Sequence, residues 1–256
     1  MPVAPPDALS LVQLAVVTLL AAVIQGTVGF GFTLLAVSFF LLIIQSADAV
    51  PLLIVINLAI SVSLVGKLWR YVDQALLLRL VLGALLGFPL GLAVFEVADL
   101  IQLRVLAAGT ILIFVTLAVL LRRTDSGGAE REPRFRTSSS VGVGMLAGGL
   151  TTALGMPGPA LMLYLTTVGS GKDAARAISL TFFAVAFGVS LILQVATGGV
   201  TRWVWATAAV LVPIAAIGAV LGHLLARRVS EGVFRGIVLV LIAATGAYVF
   251  VDTFVL

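Results

Sequence analysis

The stretch Gln25-Gly26-Thr27-Val28-Gly29-Phe30-Gly31-Phe32-Thr33 interrupts an apolar run that extends from about Leu9 to Ile44. As one helix this run would be about 54 Å long at about 1.5 Å per residue, whereas the hydrocarbon core of a bilayer is about 30 Å thick. Each glycine in a helix interior lowers helix stability by about 1 kcal/mol. The sequence therefore predicts that the helix is broken within this stretch.

A second overlong run, about Val141–Val168, contains the stretch Gly148-Gly149-Leu150-Thr151-Thr152-Ala153-Leu154-Gly155-Met156-Pro157-Gly158-Pro159. This run would be about 42 Å long as one helix. Proline lowers helix stability by about 3 kcal/mol, and Pro159 disfavours helical backbone at Gly158. Glycines in membrane helices can instead serve close packing, the role predicted for Gly83, Gly87 and Gly91 at their four-residue spacing. Because both stretches interrupt runs that are too long for one crossing, we expect two breaks.

The composition is that of a membrane protein. Of the 256 residues, 61% are hydrophobic and 10% are charged, and the mean hydropathy is +1.25. Soluble domains are about 45–50% apolar and about 25% charged. We therefore predict an all-α polytopic membrane protein that contacts the lipid bilayer. Six further runs are long enough to cross the hydrocarbon as ordinary helices: Val50–Gly66, Leu76–Phe95, Leu103–Leu121, Ala175–Thr197, Trp203–Leu225 and Phe234–Val251.

The chain divides into two similar halves. The only polar linker, about residues 124–140, lies at the midpoint, and on each side a broken run is followed by three spans. We therefore predict a first membrane repeat over residues 1–123, a linker over residues 124–140 and a second membrane repeat over residues 141–256. One constant offset of 131 residues relates Gly87, Gly91 and Arg104 to Gly218, Gly222 and Arg235.

The positive charges predict how the two halves are oriented. If both broken runs return to the side on which they start, 13 of the 15 Lys and Arg residues lie in cytoplasmic segments and 2 outside; if both cross once, the numbers are 9 and 6. The positive-inside rule favours the first arrangement. Each half then makes three full crossings, which predicts inverted repeats, with both termini outside and the linker cytoplasmic. If the first run made two thin crossings of the membrane instead of a re-entrant hairpin, the numbers of Lys and Arg residues on the two sides would be the same.

The two breaks are the candidate binding site. Backbone without helical hydrogen bonds is tolerated at membrane depth only where it lines a cavity or is buried in protein. Helices that begin after a break direct free N–H groups and the positive end of the helix dipole toward it, which suits a small anion. Threonine hydroxyl groups are further donors, although each could instead bond to the carbonyl of residue i−4. The candidate substrate-binding residues are Gln25, Gly26, Thr27, Gly29, Gly31, Thr33, Asn57, Thr151, Thr152, Gly155, Pro157, Gly158 and Ser179.

Residues for catalysis or metal binding are scarce. Cysteine is absent, and His223 is the only histidine, so the H-E-x-x-H ligands of a metalloprotease cannot be formed. Gly169-Ser170-Gly171 is a weak match to a serine-nucleophile motif. We therefore expect no enzyme, no catalytic residue, no metal and no cofactor. A helix-capping role is expected for the acidic residues at span ends, namely Asp48, Asp73, Glu96, Asp99, Asp173 and Asp252.

Several segments carry a resemblance to a known family. They are Gly29-Phe30-Gly31-Phe32-Thr33-Leu34-Leu35-Ala36-Val37, Leu154-Gly155-Met156-Pro157-Gly158-Pro159-Ala160-Leu161, and the helix starts Leu103-Arg104 and Phe234-Arg235. Together they resemble the TauE/SafE family of membrane transporters, also called sulfite exporters, over nearly the whole chain. The family more usually has a G-x-G-G-G core in each repeat, whereas here phenylalanines flank Gly31 and prolines flank Gly158. The resemblance implies a solute such as sulfite or an organosulfonate.

The sequence thus leads us to expect a secondary transporter that moves a small sulfur-containing anion across the cell membrane by alternating access. An anion channel is the alternative, since backbone groups at the breaks could also select ions. Another small organic anion, such as a carboxylate, is the alternative solute. The coupling ion, H⁺ or Na⁺ for example, the direction of transport and the oligomeric state stay open. Because the basic residues lie between apolar runs, the net charge of +4 does not indicate a nucleic-acid partner.

Overall fold

The computed structural model describes residues 6–124 and 137–226. Over these residues the chain is all-helical, with one 3₁₀ turn at Trp69–Tyr71 and no strand. The helices are α1 (Ala8–Val28), α2 (Phe32–Ile44), α3 (Ala49–Leu68), α4 (Gln74–Val97), α5 (Leu100–Thr124), α6 (Thr137–Leu154), α7 (Gly158–Thr167), α8 (Lys172–Ala196) and α9 (Arg202–Ala226).

Five of these helices are long and apolar enough to cross a membrane: α1, α3 with its 3₁₀ turn, α4, α8 and α9. The all-α fold class is therefore confirmed for the described part of the chain. Five of the six predicted ordinary spans coincide with α3, α4, α5, α8 and α9 within a few residues at each end. The sixth, Phe234–Val251, lies outside the described residues.

Both predicted breaks are observed. The first helix ends at Val28 because Gly29 and Gly31 adopt left-handed backbone, with φ of 90° and 108°, before α2 begins at Phe32. Gly155, with φ of 67°, ends α6 in the same way, and α7 begins at Gly158. These φ values strain any residue with a Cβ, which explains the glycines. The second run starts earlier than expected, since residues 137–140 of the predicted linker already belong to α6.

Helices α4 and α6 pack with their backbones in contact. A Cβ added at Gly83, Gly87 or Gly91 would overlap the main chain of α6 at Val141, Met145 or Gly149, respectively. These residue numbers rise together, so the two helices run parallel. The predicted close-packing role of the three glycines is confirmed, and each lets the two backbones approach as small residues do in membrane helix pairs.

Helices α1 and α9 form a second pair of the same kind. A Cβ at Gly222 would overlap the carbonyl of Val23, and a Cβ at Gly218 would lie 2.8 Å from the carbonyl oxygen of Leu19. This pair is also parallel. Helices α3 and α8 pack against each other and against both pairs. They are the inner helices: 61% and 56% of their most apolar segments are buried, against 28%, 33% and 39% for α1, α4 and α9.

Polar residues at the helix ends stabilise the two ends of the bundle. Asp73 and Asp99 cap α4 and α5 by accepting hydrogen bonds from the backbone N–H groups of Leu76 (3.0 Å) and Gln102 (2.7 Å), as predicted. The Asp48 carboxylate instead accepts a bond from the indole N–H of Trp203 (3.1 Å) and so joins the start of α3 to the start of α9. At the opposite end, Lys172 Nζ donates to the carbonyl of Ala226 (3.0 Å).

Candidate functional site

The two breaks touch each other in the interior of the bundle. The Thr33 hydroxyl, on the first turn of α2, donates to the carbonyl of Gly155 at the end of α6 (2.7 Å). The Asn57 side-chain amide on α3 donates to the Thr33 hydroxyl and to the carbonyl of Leu53, both at 2.9 Å. All of these groups are buried. A polar network therefore connects the first break, the second break and the inner helix α3.

A small cavity lies where the breaks meet. It leaves about 10 Å³ for the centre of a water-sized sphere, which is roughly the room that one water molecule needs. In this conformation it is therefore too small for a polyatomic anion. Its walls come from both breaks and from the inner helices α3 and α8: Gln25, Gly31, Thr33, Leu34, Asn57, Met156, Pro157, Gly158, Pro159, Phe183 and Phe187.

Gln25 lines this cavity and carries a hydrogen-bond donor that has no partner. Its side-chain Oε1 accepts a bond from the backbone N–H of Phe32 (3.1 Å) and thereby holds α2 against the end of α1. Its Nε2 is buried and has no hydrogen-bond partner. A buried donor without a partner costs about 1–3 kcal/mol. An acceptor that enters the cavity would offset that cost.

Two helix N-termini border the cavity. Gly31 precedes the first residue of α2, and Gly158 is the first residue of α7. The first N–H groups of a helix have no partner within the helix, and the helix dipole places partial positive charge at that end. Among the lining residues none carries a carboxylate. Phe32 N–H is already bonded to Gln25, and Pro159 has no N–H, so the available donors are the remaining first-turn N–H groups. Such groups at helix starts bind small anions.

The apolar part of the wall is formed by two phenylalanines of α8, which the sequence analysis missed. Phe183 and Phe187 are fully buried, and their rings meet edge to face with centroids 5.8 Å apart. They lie one and two helical turns beyond Ser179, a predicted candidate, so that spacing was the available signal. Leu34, Met156 and Pro159 are the other apolar wall residues that were not predicted to contact solute.

Of the predicted substrate-binding residues, the structure brings six together at the cavity: Gln25, Gly31, Thr33, Asn57, Pro157 and Gly158. Three threonines are engaged elsewhere by bonds to the i−4 carbonyl, the alternative that the sequence left open. Thr27 bonds to the carbonyls of Val23 (2.8 Å) and Gly222 (3.1 Å). Thr151 and Thr152 bond back within α6, and Thr152 also meets the Ser190 hydroxyl at 2.8 Å.

The remaining four predicted residues lie close to the cavity without lining it. Gly155 presents its carbonyl to Thr33. The Ser179 hydroxyl is directed to the sulfur of Met162 (3.4 Å). Gly26 accepts a bond from the guanidinium of Arg176 through its carbonyl (2.7 Å), and Gly29 packs against the aliphatic part of the same side chain. Over the described residues, no group of His, Asp or Glu side chains is placed to hold a metal ion.

Comparison with known proteins gives one match. The model of the family described as "Sulfite exporter TauE/SafE" matches residues 14–249, a segment that includes both breaks and every residue of the cavity wall. No curated protein and no solved structure matches the chain.

Proposed function

The chain belongs to the sulfite exporter TauE/SafE family, and on that basis we propose that it carries sulfite or an organosulfonate through the cavity between its two breaks by alternating access. The family is one of transporters, and the apolar helices make the chain a multi-pass membrane protein. The observation that carries the proposal is the cavity itself, which is bordered by two helix N-termini and by Gln25, whose Nε2 has no hydrogen-bond partner.

The chemistry of the wall supports an anionic solute. The solute would receive hydrogen bonds from Gln25 Nε2 and from backbone N–H groups at the starts of α2 and α7, all in a low-dielectric interior where such bonds are strong. The lining side chains include neither a carboxylate that would repel an anion nor a cation that would hold it permanently. Such a site allows both binding and release, as transport requires.

The size of the cavity supports a carrier more than an open channel. With room for about one water molecule, the described conformation offers no continuous path for a polyatomic anion. Binding therefore requires movement of at least one break. The proline and glycine residues of the two breaks, which lack regular helical hydrogen bonds, are the natural hinges for that movement.

Helix packing supports the proposed duplication into repeats over residues 1–123 and 141–256. The first helix of each half packs in parallel against the fourth helix of the other half, giving the pairs α1 with α9 and α6 with α4. The inner helices α3 and α8 occupy matching places and contact each other. Gly87 and Gly91, and their counterparts at an offset of 131, Gly218 and Gly222, make the close contacts in the two pairs.

Contacts at the bundle ends support the inverted orientation. If each broken run crossed the membrane once, α3 and α9 would begin on opposite sides, yet Asp48 before α3 bonds to Trp203 at the start of α9. Helix α1 runs parallel to α9, and α2 leads back to Asp48, so this first run returns to the end where it began. We propose that this end is outside and that the linker over residues 124–140 is cytoplasmic.

Uptake of ³⁵S-labelled sulfite into proteoliposomes tests the proposal. We expect saturable uptake that is inhibited by unlabelled sulfite, thiosulfate or sulfoacetate and much less by acetate. The variant that tests the cavity is Gly158→Leu, whose side chain would fill the cavity beside Phe30 and Phe183. This variant should insert and purify as the parent protein does but take up no more sulfite than protein-free liposomes. Equal uptake by both proteins would mean that the solute does not pass through the cavity. Stronger inhibition by acetate than by the sulfur compounds would mean that the solute is a carboxylate.

A further inference from the structure

Arg176 is a buried cation that does not line the cavity. Only 3% of this residue is exposed, and it is the one charged residue among the fully buried residues of the described segments. It lies near the start of α8, one of the helices apolar enough to cross a membrane. A charged side chain within a membrane-spanning helix is costly, and such residues usually mark the path of a solute or ion.

The charge of Arg176 is only partly matched by its neighbours. One Nη donates to the carbonyl of Gly26 (2.7 Å), one of the orphan carbonyls at the end of α1, and contacts His223 Nδ1 at 3.5 Å. The nearest carboxylate, on Asp173, is 3.9 Å away and has 57% of its side chain exposed. The Nε of Arg176 is buried and has no hydrogen-bond partner. One donor of a buried cation is therefore free.

Arg176 also lies on the helix face that leads to the cavity. Arg176, Ser179, Phe183 and Phe187 follow one another at spacings of three and four residues, so they share one face of α8. All four are buried, and the two phenylalanines line the cavity. At about 1.5 Å per residue, Arg176 is about 10 Å from Phe183 along the helix. It lies toward the end of the bundle where Lys172 bonds to the end of α9.

The end of α1 contacts both this guanidinium and the cavity. Gly26 and Gly29 touch Arg176, while Gln25 and Gly31, their neighbours in the chain, line the cavity. We propose that Arg176, together with Ser179, forms a second site for a small oxyanion, placed between the cavity and the end of the bundle where α8 begins. The class of ligand that we assign to this site rests on the proposed function. In the described conformation the guanidinium donates a hydrogen bond to the carbonyl of Gly26. When the end of α1 moves away, the guanidinium donates to the anion instead.

Thiol chemistry at Ser179 tests this second site directly. Because the chain contains no cysteine, the variant Ser179→Cys carries a single thiol, which lies three residues beyond Arg176 on the same face of α8. The full-length protein in proteoliposomes is treated with an anionic reagent, sulfonatoethyl methanethiosulfonate, and with the neutral methyl methanethiosulfonate. We expect the thiol to react faster with the anionic reagent than with the neutral one, and we call the ratio of these two rates the preference. The preference should fall about tenfold when Arg176→Gln is added, since a buried charge raises the local concentration of counter-ions by about that factor or more.

Two variants serve as controls. Arg176→Lys keeps the charge and should keep most of the preference. Arg104→Gln removes the other arginine that bonds to a helix-end carbonyl, that of Leu41 (2.8 Å), but from α5 and away from the α8 face. It should leave both reaction rates at Ser179→Cys unchanged. The rate with the neutral reagent should be equal in all of these proteins, which checks that the thiol is equally accessible and that a lost preference is not a loss of folding.

Protection by sulfoacetate, a sulfonate that does not react with methanethiosulfonates, is a second measurement that needs no substitution of Arg176. Millimolar sulfoacetate should slow the reaction of Ser179→Cys, and the same concentration of sodium acetate should slow it less. The second site is wrong if the thiol reacts with neither reagent, if the anionic reagent is not favoured, or if the preference survives Arg176→Gln. If the wild-type protein transports no sulfite while the preference depends on Arg176, the proposed solute fails and the anion site stands.

Discussion

At the scale of single residues, the two polar atoms of the Gln25 side chain have different roles. Oε1 accepts the bond from Phe32 N–H that holds α2 in place, whereas Nε2 is a buried donor without a partner, which we propose bonds to the solute. The variant Gln25→Glu keeps an oxygen for Phe32 and replaces the donor by an acceptor. We expect the fold to persist and the KM for sulfite uptake to rise at least tenfold, since a bond to a charged group contributes about 1.5–3 kcal/mol.

The matched control for this prediction is Thr181→Val on α8. The Thr181 hydroxyl is also buried without a partner, but it does not line the cavity. Its loss should leave KM unchanged and the thermal midpoint equal or slightly higher, because an unpaired polar group is removed. An unchanged KM in Gln25→Glu, measured from initial rates over a range of sulfite concentrations, would contradict the role of Nε2.

Most of the predicted residues that line the cavity were identified by the breaks themselves, and Asn57, on the span after the first break, is the exception. Gln25, Gly31, Thr33, Pro157 and Gly158 lie within the interrupted stretches, and they line the cavity. Phe183 and Phe187 could not be distinguished in the sequence from ordinary core residues of an apolar helix. The threonines were ambiguous, because a hydroxyl in a helix bonds to the i−4 carbonyl unless a tertiary partner competes, and only the three-dimensional structure provides such a partner.

At the scale of the helices, the two parallel pairs depend on glycines with no space for a side chain. In Gly87→Ala the added methyl group would meet the main chain of α6 at Met145, whereas in Gly109→Ala, on α5, it would meet nothing within 4 Å. We expect Gly87→Ala to destabilise the protein by about 1–3 kcal/mol or more through overpacking. Gly109→Ala should be neutral or stabilise the helix by about 0.5–1 kcal/mol, because alanine is the better helix former.

Thermal unfolding of the two purified variants in the same detergent measures this difference. A lower midpoint for Gly87→Ala and an unchanged or higher midpoint for Gly109→Ala are expected. Equal midpoints would mean that α4 and α6 are not in backbone contact. The sequence predicted the glycine seam of α4 and the ends of the helices to within a few residues. It could not predict that α6 is the partner, because residue spacing identifies a close-packing face but not the helix that covers it.

At the scale of the whole molecule, the returning arrangement predicts which loops face the same side. Since the chain has no native cysteine, single cysteines at Ser46, Thr201 and Ser170 can be labelled without background. Ser46 and Thr201 flank the contact between Asp48 and Trp203, and Ser170 lies just before α8 at the opposite end. In intact cells an impermeant maleimide should label the first two and not the third, and a permeant maleimide should label all three.

Labelling of Ser170→Cys from outside, with Thr201→Cys protected, would reverse the proposed orientation. Labelling of Ser46→Cys and Thr201→Cys from opposite sides would contradict the inverted repeats as well. The sequence predicted this arrangement from its charges, because basic residues stay in the cytoplasm during insertion. The charges contain no information about how closely the breaks approach each other, which depends on the packing of α3 and α8 between them.

In the proposed mechanism one alternating site carries the anion, and such a site exchanges internal for external anion across the membrane. Proteoliposomes with or without internal unlabelled sulfite are given external ³⁵S-sulfite, and initial uptake is measured at zero membrane potential. We expect faster uptake in the preloaded vesicles, because a loaded site returns across the membrane faster than an empty one. Equal initial rates with and without internal sulfite, together with ionic currents far above the turnover of a carrier, would contradict it.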